Sequence, residues 1–343
     1  MRIGIIGHFG GEEKFTDGQT IKTITLYDAL KQSSRVDPID TYYIKRNPIR
    51  FLVQLITCFF CSKKIIVLLS SKGRKVLFPV LYVAARYFQK DIYHYAIGGR
   101  LAREVSDNLK WKKYVSAFKG NWMESRLLAN QLLELGVKNA LYIPNFKSLS
   151  ILTEESIPQK IEKPFRFCTF SRVMRPKGIS DAIETICAIN AQMGKEVATL
   201  DIYGPIVKEY EEELKAALTG SDGSCRYCGI VDPNKSVEIL HEYFALLFPT
   251  HWKHEGIPGT IIDALASGVP IIARRWQYCD EIITNGETGY VYEWDEPNKL
   301  KYYIEYAMEH EEEMLQMKRK CLKKSMEYSE DIVIRQVCQL MGI

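Results

Sequence analysis

Short apolar runs alternate with longer amphipathic segments along this chain, and the pattern occurs twice with one polar break between. The first series holds "RIGIIG", "DTYYI", "KKIIVLL", "DIYHYAI", "YVSAF" and "NALYI", with helical patterns such as "DGQTIKTITLYDALKQS" between most of them. That rhythm belongs to βαβ units around a parallel sheet. The break, "FKSLSILTEESIPQKIEKP", is polar, carries Pro158 and Pro164, and has no period. The second series runs through "FRFCTFS", a helix from about 179 to 190, "ATLDIYG", "CRYCGIV", "YFALLFP" and "GYVYEW". At 343 residues the chain exceeds what one core usually supports. We therefore expect two doubly wound α/β domains, over 1–150 and 165–329, joined by a linker at 151–164. From Pro297 onward the sequence reads as helical and acidic. The last segment, 330–343, reads as an amphipathic helix and is assigned to the first domain, although its periodicity names no partner. In such domains ligands sit at the carboxyl ends of the strands, so a cleft between facing domains is the expected site.

Charge divides with the domains. Residues 1–150 carry 24 Lys+Arg against 11 Asp+Glu, a net of +13; with 46 and 42 in the whole chain, the remainder is 22 against 31, a net of −9. Such asymmetry points the first half at an anionic partner: a phosphorylated substrate, a phospholipid surface or nucleic acid. No run reaches the length needed to span a bilayer; the longest, "VLFPVLYVAA", contains Pro79. No signal peptide is expected from "MRIGIIG". The nine cysteines are scattered through apolar segments, which suggests buried thiols in a reducing compartment. The pairs Cys58/Cys61 and Cys225/Cys228 are too far apart in sequence for a zinc ribbon, so no metal is expected.

One block concentrates chemistry. In "HEGIPGTIIDALASGVPII" a short helix opens near Pro258 and Gly259 and closes at Gly268, with Glu255 before it and Asp263 on it. A helix start collects phosphate through N–H groups without internal partners. Carboxylates beside it would repel phosphate unless they accepted hydrogen bonds from hydroxyls of the same ligand. A sugar nucleotide has both. Arg172 and Lys177 in "SRVMRPKG" leave the first strand of the second series just before a helix, where cations suit a diphosphate, although a basic surface turn has the same composition.

"SRVMRPKG", "LDIYGP", "YCGIVD", "LLFPTHWKHEGIPGTIIDALASGVPIIA" and "DEIITNGETGYVY" follow the order and spacing of family four glycosyltransferases. The resemblance covers 165–292, and its most specific element is the Glu-x7-Glu block, here Glu255 to Asp263. "GHFGG", "YHYAIGG" and "ALYIPN" resemble the family more weakly. The resemblance implies the GT-B fold, two Rossmann-like domains facing a cleft, and a retaining hexosyltransferase using a nucleotide diphosphate sugar, a UDP-sugar first. It implies that Arg172 and Lys177 hold the diphosphate and that Glu255 binds sugar hydroxyls. The backbone of Gly256, Ile257, Pro258, Gly259 and Thr260 would face sugar and phosphate, and Asp263 the ribose. His94 would reach the sugar from the first domain, Gly10 and Gly11 would close near the donor, and Ile230 and Val231 would flank the base. Asp263 departs from the pattern by one methylene. The residues themselves leave alternatives open: His94 as a core histidine, Gly10 and Gly11 as a tight turn. Gly204 and Gly229 would allow close backbone approach at strand ends.

No acid in the first domain declares itself as a nucleophile, so front-face transfer without metal or cofactor is expected. The basic first domain would receive a glycan or polyprenyl-diphosphate-linked acceptor in cell-surface polysaccharide synthesis. "IRFLVQLITCFFCSKK" and "SKGRKVLFPVLYVAARYFQK" combine apolar faces with cations suited to an anionic membrane surface. A cytoplasmic enzyme, peripheral on the inner face of the plasma membrane, follows. Two rivals remain. A nucleic-acid- or polyanion-binding protein would explain the basic half but lacks a recognition motif. An oxidoreductase would explain "GIIGHFG", but the acid expected about twenty residues after the turn is missing.

Overall fold

A computed structural model describes residues 2–13, 15, 17–253, 255–296 and 298–343. His254, in the block quoted above, and Pro297 lie outside the described residues. The chain divides into unit 1, Met1–Ser148 with Tyr328–Ile343, and unit 2, Leu149–Glu327.

Unit 1 is built on β1 (Arg2–Gly7), β2 (Arg35–Asp40), β3 (Lys64–Val67), β4 (Asp91–Tyr95), β5 (Gly120–Met123) and β6 (Ala140–Tyr142). They form one parallel sheet in the order β2-β1-β3-β4-β5-β6. Every second residue faces one side, so Ile3, Ile5, Ile66, Leu68, Tyr93, Tyr95 and Trp122 make one core. The Glu330–Met341 helix joins that core through Val333, Val337 and Met341.

Two short runs were misplaced by sequence. "DTYYI" lies after the strand: β2 is "RVDPID", whose Pro38 is tolerated because β2 is an edge strand. "YVSAF" closes the Leu109–Ala117 helix, and the strand is the following "GNWM". A five-residue apolar run fits a half-buried helix end as well as a strand.

Unit 2 holds β7 (Phe165–Phe170), β8 (Ala198–Tyr203), β9 (Cys225–Gly229), β10 (Ala245–Phe248), β11 (Ile271–Arg274) and β12 (Gly289–Tyr292). They form a second parallel sheet in the order β12-β11-β10-β7-β8-β9. The expected linker is no free tether. Ile157 and Ile161 are buried, Ile161 in the unit 2 core beside Phe165, and the Leu152 N–H donates to the Ala266 carbonyl at 3.1 Å. Two isoleucines give this polar stretch enough apolar surface to pack.

Candidate active site

The order of the unit 2 sheet reverses at β7, with β8 and β9 to one side and β10 to β12 to the other. A doubly wound sheet offers its ligand crevice at such a point, beyond the strand ends. The loops that meet there follow β7 and β10. Val173 fixes the first by donating to the Pro205 carbonyl at 2.9 Å and accepting from Val207 at 3.0 Å. Gly204 permits that contact, since a Cβ there would run into the Ser171 carbonyl, whereas the surroundings of Gly229 are open. The close approach expected at both glycines holds at the first alone.

Gly178, at φ +70°, turns this loop into the Ile179–Met193 helix. A Cβ at Gly178 would meet the Pro249 carbonyl, and the left-handed conformation itself disfavours other residues. Backbone can therefore touch backbone: His251 N–H donates to the Pro176 carbonyl at 2.8 Å and the Thr250 hydroxyl to the same oxygen at 3.3 Å. This contact sets the two loops in register.

Across it, Lys177 Nζ is hydrogen-bonded to Glu255 Oε1, each side chain 15% exposed. Thr250 Oγ1 lies 3.4 Å from the same carboxylate oxygen, and Trp252 N–H donates to that hydroxyl at 3.1 Å. Residues from two separate segments, 78 positions apart, are thus brought together at the switch point. Arg172 lies on the same β7 loop with an exposed side chain.

The Gly259–Ala266 helix starts at Pro258 without a side-chain cap. Gly268, at φ +65°, follows its end, as expected. The Gly256 carbonyl accepts from Trp276 Nε1 at 3.0 Å, and Ile257 is buried. Thr260 Oγ1 is enclosed without a hydrogen-bond partner. Asp263 lies on the same helix with 3% of its surface exposed. The Ile179–Met193 helix likewise lacks a side-chain cap. Two helix starts without side-chain caps thus accompany a cation–carboxylate pair, a set of groups that can bind an anion and hydroxyl donors side by side.

The other candidates stand on other elements. Ile230 is 61% exposed beyond β9, the edge strand two places from β7. Gly10 and Gly11 belong to unit 1, where the Asp40 carboxylate accepts from Phe9 N–H at 2.9 Å and Gly11 N–H at 2.8 Å. It also accepts from Tyr42 N–H at 2.9 Å. An acid does end β2, further along than the dinucleotide pattern places it. Its hydrogen-bonding capacity is taken up by backbone, which removes the dinucleotide rival's main requirement.

His94 is corrected. The ring is fully buried on β4, edge-on to Phe78 at 4.9 Å, and neither nitrogen makes a hydrogen bond of normal geometry. Burial, with Arg74 and Lys22 nearby, pushes its pKa well below the usual histidine value, Asn121 pulling weakly the other way. It is a neutral core residue.

Sequence reasoning passed over Thr250, Asp40 and a tie of Arg274 to Asp181 at 2.6 Å and to His251 at 3.0 Å. All but Asp181 stand at or just beyond strand ends, and that shared position was the available signal. A cavity of about 490 Å³ opens beside this tie, lined by Asp181, Thr185, Tyr292, Trp294 and Glu296 among others. Arg172, Lys177 and Glu255 do not line it, so it is separate from the cluster.

Comparison with known proteins gives a family and a fold. The family model described as glycosyl transferases group 1 matches residues 151–324. The amylovoran biosynthesis glycosyltransferase AmsK of Erwinia amylovora is 23% identical over 259 residues, 64% of this chain and 62% of that protein. The chain thus spans less than two thirds of that relative's length. The crystal structure of Anabaena Alr3699/HepE in complex with UDP superposes with a TM-score of 0.77 at 12% identity, covering 100% of both chains. Sucrose-phosphate synthase from Thermosynechococcus elongatus gives 0.76 at 14% identity, covering 99% of this chain and 98% of that one. At such identities the likeness establishes the fold: GT-B, with its two parallel-sheet domains.

Proposed function

The chain belongs to the glycosyl transferases group 1 family, and from that premise we propose that it moves a hexosyl group from a nucleotide diphosphate sugar to a glycan or polyprenyl-diphosphate-linked acceptor. One observation carries the reading: Lys177 meets Glu255 across the β7/β10 switch point, between two helix starts without side-chain caps. Arg172 and Lys177 take the diphosphate oxygens and offset the charge that develops as the glycosidic bond breaks. Glu255 exchanges its bond with Lys177 for sugar hydroxyls. The Gly256–Thr260 backbone faces sugar and phosphate, and Asp263 addresses the ribose. The Gly10–Gly11 loop closes near the donor, and Ile230 flanks the base. His94 has no part.

We infer retention at the anomeric carbon by front-face departure and attack, with the leaving phosphate taking the acceptor proton. A double displacement would need a carboxylate about 3 Å from the anomeric carbon, and none is assigned. An isolated covalent glycosyl-enzyme would overturn this step. The chain's own cations supply the charge stabilisation, so transfer proceeds without a divalent metal and survives chelation.

A relative named for amylovoran biosynthesis supports a place in cell-surface polysaccharide synthesis, and a structural neighbour solved with UDP makes a UDP-sugar the first donor to test. An acceptor on a polyprenyl diphosphate would hold the protein at an anionic membrane surface, on the cytoplasmic side. The test is a calorimetric and thermal-shift panel of uridine, guanosine and adenosine diphosphate sugars. Binding of one donor, with slow release of its nucleotide, is the expected result. No binding to any of the three would sink the reading.

A further inference from the structure

Between Thr41 and Lys90 the chain carries ten Lys+Arg and no Asp or Glu. This stretch contributes two long helices to unit 1, Pro48–Cys61 and Ser71–Tyr87. Both cover the same side of the sheet. Gly4 pairs with Ile65 and Val67 with His94, so the alternation of side chains places all four on one face. A side chain at Gly4 would meet Cys58 of the first helix, and His94 meets Phe78 of the second at 4.9 Å. The strands beneath, β1 and β4, flank β3. Two strand spacings are about 10 Å, the distance at which helices pack side by side.

Their outward faces are apolar where solvent-facing helix surfaces are normally polar. On the first, Ile49, Leu52, Val53, Ile56 and Phe60 are exposed, Phe60 to 86%. Their spacing follows one stripe of a helix. On the second, Val76, Val80, Val83 and Tyr87 form a matching stripe. The inward residues Phe51, Leu55, Cys58, Leu77, Phe78 and Leu81 already fill the core, so the outer stripes are surplus to folding. Lys63, Lys72, Lys75 and Arg86 are exposed at the ends of these helices.

We propose that this two-helix face of unit 1 docks on an anionic lipid bilayer, its apolar stripes entering the interface and its cations resting on lipid headgroups. A paired apolar surface ringed by one sign of charge matches an interface that is hydrocarbon within and negative at its edge. A second copy of the chain would oppose like charges across the contact, which disfavours self-association. No helix among the described residues is long and apolar enough to cross a membrane, so these helices would lie in its plane. The surface belongs to unit 1 and shares no residue with the switch-point site of unit 2, and donor binding measured on the same variants separates failure of this inference from failure of the transfer reading.

The experiment is co-sedimentation of the whole chain with phosphatidylglycerol-containing vesicles and with phosphatidylcholine vesicles, at low and high salt. Binding to the anionic vesicles alone is expected, weakened by salt and reduced about fivefold for each of Lys63→Gln, Lys72→Gln and Arg86→Gln. Phe60→Asp with Val80→Asp should remove it while leaving the melting curve and donor affinity unchanged. Absence of binding to anionic vesicles at low salt would overturn the proposal. So would binding unaltered by all these changes, or concentration-dependent dimers that the two aspartates dissolve.

Discussion

Units 1 and 2 are built on one plan, six parallel strands whose order reverses beside the first strand, yet their switch points are finished differently. In unit 1 the helix that follows β1 is capped by its own Asp17, which accepts from Gln19 and Thr20 N–H. Asp40 binds the glycine loop, and His8 Nδ1 pairs with Thr20 Oγ1 at 2.7 Å. Those groups are satisfied within the protein. In unit 2 the helices after β7 and β10 start without side-chain caps, and Lys177 pairs with Glu255, whose carboxylate also faces the Thr250 hydroxyl. Strand ends that leave donors and charges to be completed suit a ligand better than strand ends already closed by the protein's own groups. The contrast extends to surface charge, +13 over residues 1–150 against −9 beyond.

The largest effect should come from breaking the unit 2 pair. Glu255→Gln and Lys177→Met should each lower kcat by about 10²–10³-fold, the usual loss when one preorganised charge is removed from a transition state. Each single change also strands a half-buried charge and should lower the melting temperature, because the partner keeps its desolvation cost. The double variant should recover stability without recovering transfer. A double variant as active as the wild type would show that the pair is structural, like the satisfied groups of unit 1.

Buried bases sharpen the comparison through pH. Lys318 of unit 2 is 2% exposed, donates to the Tyr243 carbonyl at 2.8 Å, and burial pushes its pKa down to about 8. The unfolded chain keeps a lysine near its ordinary value of 10.5. Between those values the unfolded state holds a proton that the folded state has released, so stability should rise with pH from about 8 to about 10. Below 8 both states are charged and the full penalty stands, on the order of 3 kcal/mol. Denaturant melts across that window should show the rise, and Lys318→Met should flatten it.

A smaller effect belongs to the unit 1 cap. Asp17→Ala removes the acceptor for two N–H groups and should cost about 1 kcal/mol of stability. Donor affinity should not change, because that helix start is already closed. Tighter binding of a phosphate-bearing donor to Asp17→Ala would mean that unit 1 also offers an anion site.

The two-sheet plan was legible because fully buried parallel strands leave continuous apolar runs such as "KKIIVLL" and "FRFCTF". The helix around Asp263 was legible from Pro258 and Gly268, residues with one conformational use each. Strand order was not, since each run states its own burial and says nothing of its neighbour. The Lys177–Glu255 meeting was legible only as chemistry: two segments carried complementary charges, but the Pro176–His251 backbone contact that joins them has no side-chain signature. Asp40 escaped notice because its partners are backbone N–H groups, which every sequence contains.

His94 is the sharpest case of chemistry read from residue type alone, and it supplies the smallest predicted effect. Its imidazole is enclosed and unpaired, with a pKa well below 6.5, so it stays neutral while the unfolded chain titrates normally. As pH falls through about 6.5 the unfolded state gains a proton that the folded state refuses, and stability should fall. His94→Phe keeps a ring against Phe78 and removes two buried nitrogens that make no hydrogen bond of normal geometry. Stability at pH 7 should then be equal or slightly higher, the acid-side loss should diminish, and kcat should stay within about twofold, far from the loss at Glu255. A fall in kcat comparable to that of Glu255→Gln, with the fold intact, would return the ring to the chemistry.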